Sequence, residues 1–221
     1  MCKVLVLGAG LVAKPMIEYF VNHKYNVIIA SKYFEKSIIG IANKNNDIIK
    51  LKDWDVSQED VLDSMIADSN IVISLLPYVY HPYVAKYCIK NKKNMITASY
   101  VKEEMMVLDN DAKKAGISIL NELGLDPGID HLSAMKIIDE VHSKGGNIEE
   151  FYSFCGALPS PESIDNPFKY KFSWSPRGVL LAGNNNAKYL KDGKIVEINT
   201  INLFKNPIEI DYNGIGSLEV Y

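Results

Sequence analysis

The sequence predicts an α/β protein: a doubly wound parallel sheet followed by an α+β second domain. Three observations carry this reading. The apolar run Lys3-Val4-Leu5-Val6-Leu7 leads straight into Gly8-Ala9-Gly10. Short apolar runs then alternate with segments of helical period as far as Leu120, the pattern of parallel strands joined by crossover helices. Past His131 the texture changes to Pro- and Ser-rich loop and short alternating β segments. The domains are accordingly read as 1–125 and 126–221.

The opening stretch sets the first expectation. A buried strand, a Gly-x-Gly turn and an amphipathic helix form the phosphate-binding unit of a Rossmann dinucleotide domain. Gly8 lets the backbone turn out of the strand. Gly10 has no side chain, so a pyrophosphate can approach the amides. Ala13 stands at the third glycine position, where a small residue keeps helix and strand close. The helix N-terminus adds unpaired N–H groups and a partial positive charge.

The elements follow in order. Pro15 to His23 read as the first helix, with Pro in the first turn where its missing N–H costs little. Asn26 to Ala30 read as the second strand and Ile48 to Leu51 as a short third. Ser57 reads as a helix N-cap with Asp60 three residues on. Asn70 to Pro77, continuously apolar at first, read as a buried parallel strand. Tyr78 to Asn91 read as a helix, Asn94 to Tyr100 as a strand, Lys102 to Ala115 as a helix and Ile117 to Leu120 as a sixth strand. A helix over 132–143, a strand-like stretch over 149–156 and a helix over 179–190 come next. The tail alternates in β fashion, with hairpin turns at Asp192-Gly193 and Asn213-Gly214.

Composition bounds the partners. A net charge of -3 gives no electrostatic case for nucleic acid or an anionic membrane. No apolar run reaches the roughly 20 residues that span a bilayer. Cys2, Cys88 and Cys155 are widely spaced and lack metal-ligand spacing, so reduced thiols and no metal centre are expected. The first strand begins directly after Cys2, so no leader segment and a cytoplasmic location are expected.

Where the second strand ends, an NAD site places Asp or Glu for the ribose hydroxyls. This chain has Ser31-Lys32 instead, which can hydrogen-bond and neutralise a 2′-phosphate, so the expected cofactor is NADP. Asp55-Val56 lies where such folds contact the adenine, although Asp55 reads equally well as helix-start chemistry. Ser99-Tyr100, Leu125-Asp126-Pro127-Gly128 and Cys155-Gly156 lie at or just after strand ends, where ligands of open α/β sheets bind. Asp126, Tyr100, Cys155 and His131 could each relay protons. Each also has a plainer reading: a turn residue, a core ring, a small apolar side chain, a helix start. His81, near a helix start, reads as a packed or capping residue.

The run NELGLDPGIDHLSAMKIIDEVHSKGG, followed by CGALPSPESIDNPFKYKFSWSPRGVLLA, resembles the glutamate-forming saccharopine dehydrogenases. VLVLGAGLVAKP and VISLLPYVYHPYVAKYCI agree with the same family. The resemblance implies oxidation of saccharopine, a secondary amine, by hydride transfer to NADP. Hydrolysis of the imine then gives glutamate and 2-aminoadipate 6-semialdehyde, a reaction of lysine metabolism. It implies cofactor contacts at Gly8, Gly10, Leu11, Val12, Ser31, Lys32, Asp55, Val56, Ser74, Ser99, Leu125 and Ser175. It also implies substrate contacts at Ser99, Tyr100 and Asp126, with Asp126, Tyr100 and Cys155 as candidates for proton transfer. A homodimer is expected. Family members run on for about as many residues again, so the second domain is expected to be incomplete and this chain alone to turn over poorly. Two alternatives stand beside this reading: a related imine-reducing enzyme of polyamine synthesis (carboxynorspermidine or homospermidine type), and a non-catalytic dinucleotide-binding fragment.

Overall fold

The structure, a computed structural model, describes residues 2–221. Two compact units are present, one ending at Ser153 and the other comprising Phe154–Tyr221.

The first unit is built on β1 (Lys3–Ala9), β2 (Asn26–Phe34), β3 (Ile49–Asp53), β4 (Ile71–Ser74), β5 (Asn94–Thr97) and β6 (Ile119–Leu120). Its helices are α1 (Lys14–Asn22), α2 (Lys36–Lys44), α3 (Glu59–Ala67), α4 (His81–Lys90), α5 (Glu103–Met106), α6 (Asp109–Ala115) and α7 (Ile129–Ser143). The strands form one parallel sheet in the order β3-β2-β1-β4-β5-β6. The chain therefore winds outward from β1 to β3, returns to the middle and winds outward the other way. That reversal opens a crevice between the carboxyl ends of β1 and β4.

The period of two along β1 divides the core. Val4 and Val6 join one apolar cluster with Ile17 of α1 and Ile38 and Ala42 of α2. Leu5 and Leu7 join the other with Leu62 and Ile66 of α3, Val84 and Cys88 of α4, and Ala85 beside them. All four β1 side chains are buried, and each such burial contributes roughly 1.5–3 kcal/mol. Helices thus cover both faces of the sheet, as parallel strands require.

Several elements depart from the sequence reading. β2 runs on to Phe34 and pairs Ser31 with Asp53 of β3, so Ser31-Lys32 lie inside the strand and not beyond its end. Ser57 is not the N-cap. α3 starts at Glu59 behind Gln58, and the Ser57 hydroxyl donates instead to Asp55 Oδ1 at 2.8 Å. The segment 36–44 is a helix although its buried face consists of only Ile38 and Ala42, too sparse a period to read. The helix expected over 102–115 breaks at Val107-Leu108 into α5 and α6. Residues 149–156 form no strand.

The second unit contains α8 (Pro176–Ala182) and two separate hairpins. β7 (Ala187–Lys191) pairs antiparallel with β8 (Lys194–Ile198), and β9 (Ile208–Tyr212) with β10 (Gly216–Val220). Their turns fall at the expected Asp192-Gly193 and Asn213-Gly214, where Asp192, Gly193 and Gly214 have positive φ. The helix expected over 179–190 instead stops at Ala182, and its second half is strand β7.

Candidate active site at the carboxyl ends of the sheet

The glycine turn leaves β1 at Gly8, whose φ of +101° is a conformation that favours glycine. A Cβ there would also press on the Leu75 carbonyl oxygen at 3.0 Å, just beyond β4. Gly10 differs: a Cβ built on it meets nothing within 4 Å. Beyond it, α1 begins behind Ala13 with no side-chain cap, so its first N–H groups have no side-chain acceptor. Leu11 and Val12, in the turn between, are exposed. Open space over Gly10 and an uncapped helix start fit a pyrophosphate.

At the edge of this region Lys32, Tyr33, Asp53, Asp55, Ser57 and Gln58 line an open depression. Lys32 Nζ pairs with Asp55 Oδ2 at 2.9 Å. The hydrogen bond from Lys32, with those from the Ser57 amide and hydroxyl, holds the Asp55 carboxyl far below its ordinary range. The same contact with Asp55 raises the Lys32 ammonium. The Ser31 hydroxyl donates to the Tyr33 carbonyl at 2.6 Å. A cation beside a hydroxyl fits a 2′-phosphate, although Asp55 holds that cation in this structure. Val56 packs partly buried against the core.

The ends of β4 and β5 meet through His81, the first residue of α4. Its Nδ1 lies 3.0 Å from Ser74 Oγ. Its Nε2 lies 2.9 Å from Thr97 Oγ1 and 2.8 Å from Ser99 Oγ. His81 is 2% exposed, and burial pushes its pKa down to about 4, so the ring is neutral near pH 7. It is packed, as its position in the sequence implies, but it is also the centre of a hydroxyl network. The signal was present in parts: hydroxyl residues end two successive strands, and a histidine starts the helix between them.

Past β6 the chain runs back alongside the end of β5. Glu122 N–H donates to the Ser99 carbonyl and Leu123 N–H to the Thr97 carbonyl, at 3.1 and 3.2 Å. This brings the Leu125-Asp126-Pro127-Gly128 turn beside Tyr100. Tyr100 donates its phenolic hydrogen to Asp126 Oδ1 at 2.7 Å. Desolvation and the adjacent Asp126 push the Tyr100 phenol up to about 12. The turn itself is closely built. The Asp126-Pro127 bond is cis, and Gly128 adopts φ +149°. A Cβ on Gly128 would collide with the Gly124 backbone, so only glycine fits. Asp130 accepts the Gly128 N–H at 2.8 Å, and His131 Nδ1 lies 3.0 Å from Asp130.

Ser74, Ser99, Tyr100 and Asp126 are therefore linked by short contacts or direct sequence neighbours. Leu125 is exposed next to them. Cys155 and Ser175 belong to the second unit. Cys155 is exposed there, and Ser175 caps α8 by accepting the Gly178 N–H at 3.1 Å. Among the described residues no three His, Cys, Asp or Glu side chains form a metal-holding group. None of the described helices is long and apolar enough to cross a membrane.

Comparison with known proteins agrees with this fold. Residues 4–120 match the saccharopine dehydrogenase NADP binding domain, and residues 124–221 match the saccharopine dehydrogenase C-terminal domain. The chain is 47% identical over 202 residues to the NADP(+), L-glutamate-forming saccharopine dehydrogenase of Saccharomyces cerevisiae, covering 91% of this chain and 45% of that one. It is 43% identical over 220 residues to the mitochondrial alpha-aminoadipic semialdehyde synthase of Bos taurus, covering 99% of this chain and 24% of that one. The apo structure of the L-Glu-forming saccharopine dehydrogenase of Saccharomyces cerevisiae superposes with a TM-score of 0.82 at 44% identity, covering 97% of this chain and 48% of that one. The chain thus spans less than half the length of these relatives. With a parallel sheet carrying the glycine turn and both family domains matched in order, the chain belongs to the saccharopine dehydrogenase family.

Proposed function

We propose that this chain carries the NADP site and the proton-transfer pair of an oxidoreductase that interconverts saccharopine with glutamate and 2-aminoadipate 6-semialdehyde. The Tyr100–Asp126 hydrogen bond carries the reading. It places a fixed carboxylate at the carboxyl end of the sheet that bears the glycine turn.

The cofactor-holding roles follow from position. Gly8, Gly10, Leu11 and Val12 receive the pyrophosphate, Ser31 and Lys32 the 2′-phosphate, and Asp55 and Val56 the adenine side. Ser74, Ser99 and Leu125 complete the set. Held by these residues, NADP would supply the hydride acceptor for the carbon next to the secondary amine. The protein supplies the rest. Asp126 takes the amine proton as the C=N bond forms, and Tyr100 keeps that carboxylate oriented. Water then adds to the imine carbon. One of its protons passes to nitrogen on addition, and the second follows from the new hydroxyl as the C–N bond breaks to release the glutamate amine and the aldehyde. Ser99, Tyr100 and Asp126 hold the substrate.

The reading extends to a homodimer in the cytoplasm. Ile195, Leu190 and Ile208, exposed on the hairpins of the second unit, support self-association. Light scattering tests the dimer and cell fractionation the location. The function itself is tested by a substrate panel with NADP. Formation of NADPH with saccharopine, and none with carboxynorspermidine or homospermidine, is the expected result. NADPH formed with the polyamines and not with saccharopine would refute the reading.

A further inference from the structure

Four polar residues are buried among the described residues, Ser69, Ser74, His81 and Thr97, and three of them form one cluster. A buried polar cluster is costly unless every member is satisfied, so its proton arrangement is constrained. A neutral imidazole has one N–H and one lone pair. Thr97 Oγ1 accepts the Ser99 N–H at 3.3 Å and lies 2.9 Å from His81 Nε2. Ser99 Oγ lies 2.8 Å from the same Nε2, and Ser74 Oγ lies 3.0 Å from Nδ1. With the ring hydrogen on Nε2, that N–H faces two hydroxyl oxygens and Nδ1 accepts the Ser74 hydroxyl proton. Thr97 is buried, whereas Ser99 is half-buried and can turn its own proton outward.

We propose that His81 is a positioning residue: its Nε2–H donates to Ser99 Oγ at the end of β5, which leaves the Ser99 proton free to donate to an acceptor oxygen of the bound ligand. That oxygen belongs either to the dinucleotide or to a substrate carboxylate. The inference rests on the reading of this crevice as the NADP and substrate site. His81 itself touches neither ligand, and its effect is transmitted through Ser99.

The experiment is a double-mutant cycle read by calorimetry. Two probes separate the sources: NADPH alone, and saccharopine added to protein saturated with NADP. His81→Asn keeps an amide near Nδ1 for Ser74 but cannot reach Ser99. His81→Gln restores an N–H donor near Nε2. Asn at 81 is expected to weaken one of the two ligands by about fivefold to tenfold, the range of one net hydrogen bond. Ser99→Ala is expected to weaken the same ligand equally, and the double variant no further. Gln at 81 is expected to restore affinity to within about twofold. Equal losses from His81→Asn with Ser99 present and with Ser99→Ala already made overturn the proposal, as does a failure of Gln to rescue. If Asn at 81 prevents folding, Thr97→Val serves instead. It removes the competing acceptor, so the Nε2–H goes to Ser99 alone; the ligand binds more tightly when Ser99 is present and unchanged in the Ser99→Ala background, and an equal effect in both, or a weakening, overturns the proposal. A wild-type chain that binds both probes while Ser99→Ala changes neither overturns this inference alone. A wild-type chain that binds neither probe overturns the NADP reading with it.

Discussion

Tyr100 and Asp126, separated by 26 residues in sequence, meet at 2.7 Å with the phenol donating to the carboxylate. The contact exists because the segment after β6 doubles back on β5 through the Glu122 and Leu123 amides. In the proposed reaction a base held in this way needs no reorientation when substrate arrives, which is how positioning lowers a barrier. Replacing Asp126 by Asn should lower kcat by roughly a hundredfold to ten-thousandfold, the usual weight of a general base. Tyr100→Phe should cost less, about tenfold, because the base survives with only its orientation lost. NADPH affinity, read by calorimetry, should change little in either variant.

The same pair sets a pH limit. The Tyr100 phenol is raised to about 12, above its ordinary value of 10.0. A raised acid is favoured in its protonated form by the fold. Its contribution is complete below pH 10 and is lost as pH rises toward 12. The Tyr100–Asp126 bond should therefore survive throughout the neutral and mildly alkaline range. A pH–rate profile of the wild type should show no loss that Tyr100→Phe abolishes below about pH 10.

His81 behaves in the opposite sense. Its pKa falls from 6.5 to about 4 on burial. The unfolded chain therefore binds a proton more readily than the folded one between those values. Stability from the neutral ring is complete above pH 6.5 and is lost as pH falls toward 4, by roughly 3 kcal/mol in total. Denaturant unfolding of His81→Gln between pH 7 and 4 should show a correspondingly flatter acid limb.

The two glycines of the turn separate folding from binding. Gly8→Ala forces a side chain into φ +101° and against the Leu75 carbonyl, and should cost about 1–3 kcal/mol of stability. Gly10→Ala meets nothing within 4 Å, so its melting temperature should stay near that of the wild type. Its NADPH affinity should nevertheless fall, because the new methyl occupies the open space over the turn. Differential scanning calorimetry and NADPH titration distinguish the two.

Lys32 is paired with Asp55 at 2.9 Å and lies in an open depression. Lys32→Ala should weaken NADPH by about tenfold while leaving NADH nearly unchanged, since only the former carries a 2′-phosphate. Asp55→Asn should act in the opposite direction by releasing the cation. Parallel titrations with both nucleotides give the ratio.

Much of this was legible in the chain. β1 and the glycine turn are unmistakable because a buried strand, a Gly-x-Gly turn and a helix are contiguous. The two-sided core follows from the alternation of Val4, Leu5, Val6 and Leu7. Local sequence failed where partners decide the outcome. Residues 149–156 alternate like a strand but form none. The α2 helix hides behind a face of two buried residues. At the site, Tyr100 and Asp126 were each visible at a strand end, but their contact depends on the return of the 121–124 segment. His81 was visible only as a packed residue, because Ser74, Thr97 and Ser99 reach it from two different strand ends.

The most direct test is NADPH formation from saccharopine and NADP, followed by absorbance, in the wild type and in Asp126→Asn proteins that bind NADPH equally well. Slow but saccharopine-dependent NADPH formation is expected in the wild type, with a loss of at least about a hundredfold in the variant. Equal rates in the two proteins, or NADPH formation that does not depend on saccharopine, would contradict it.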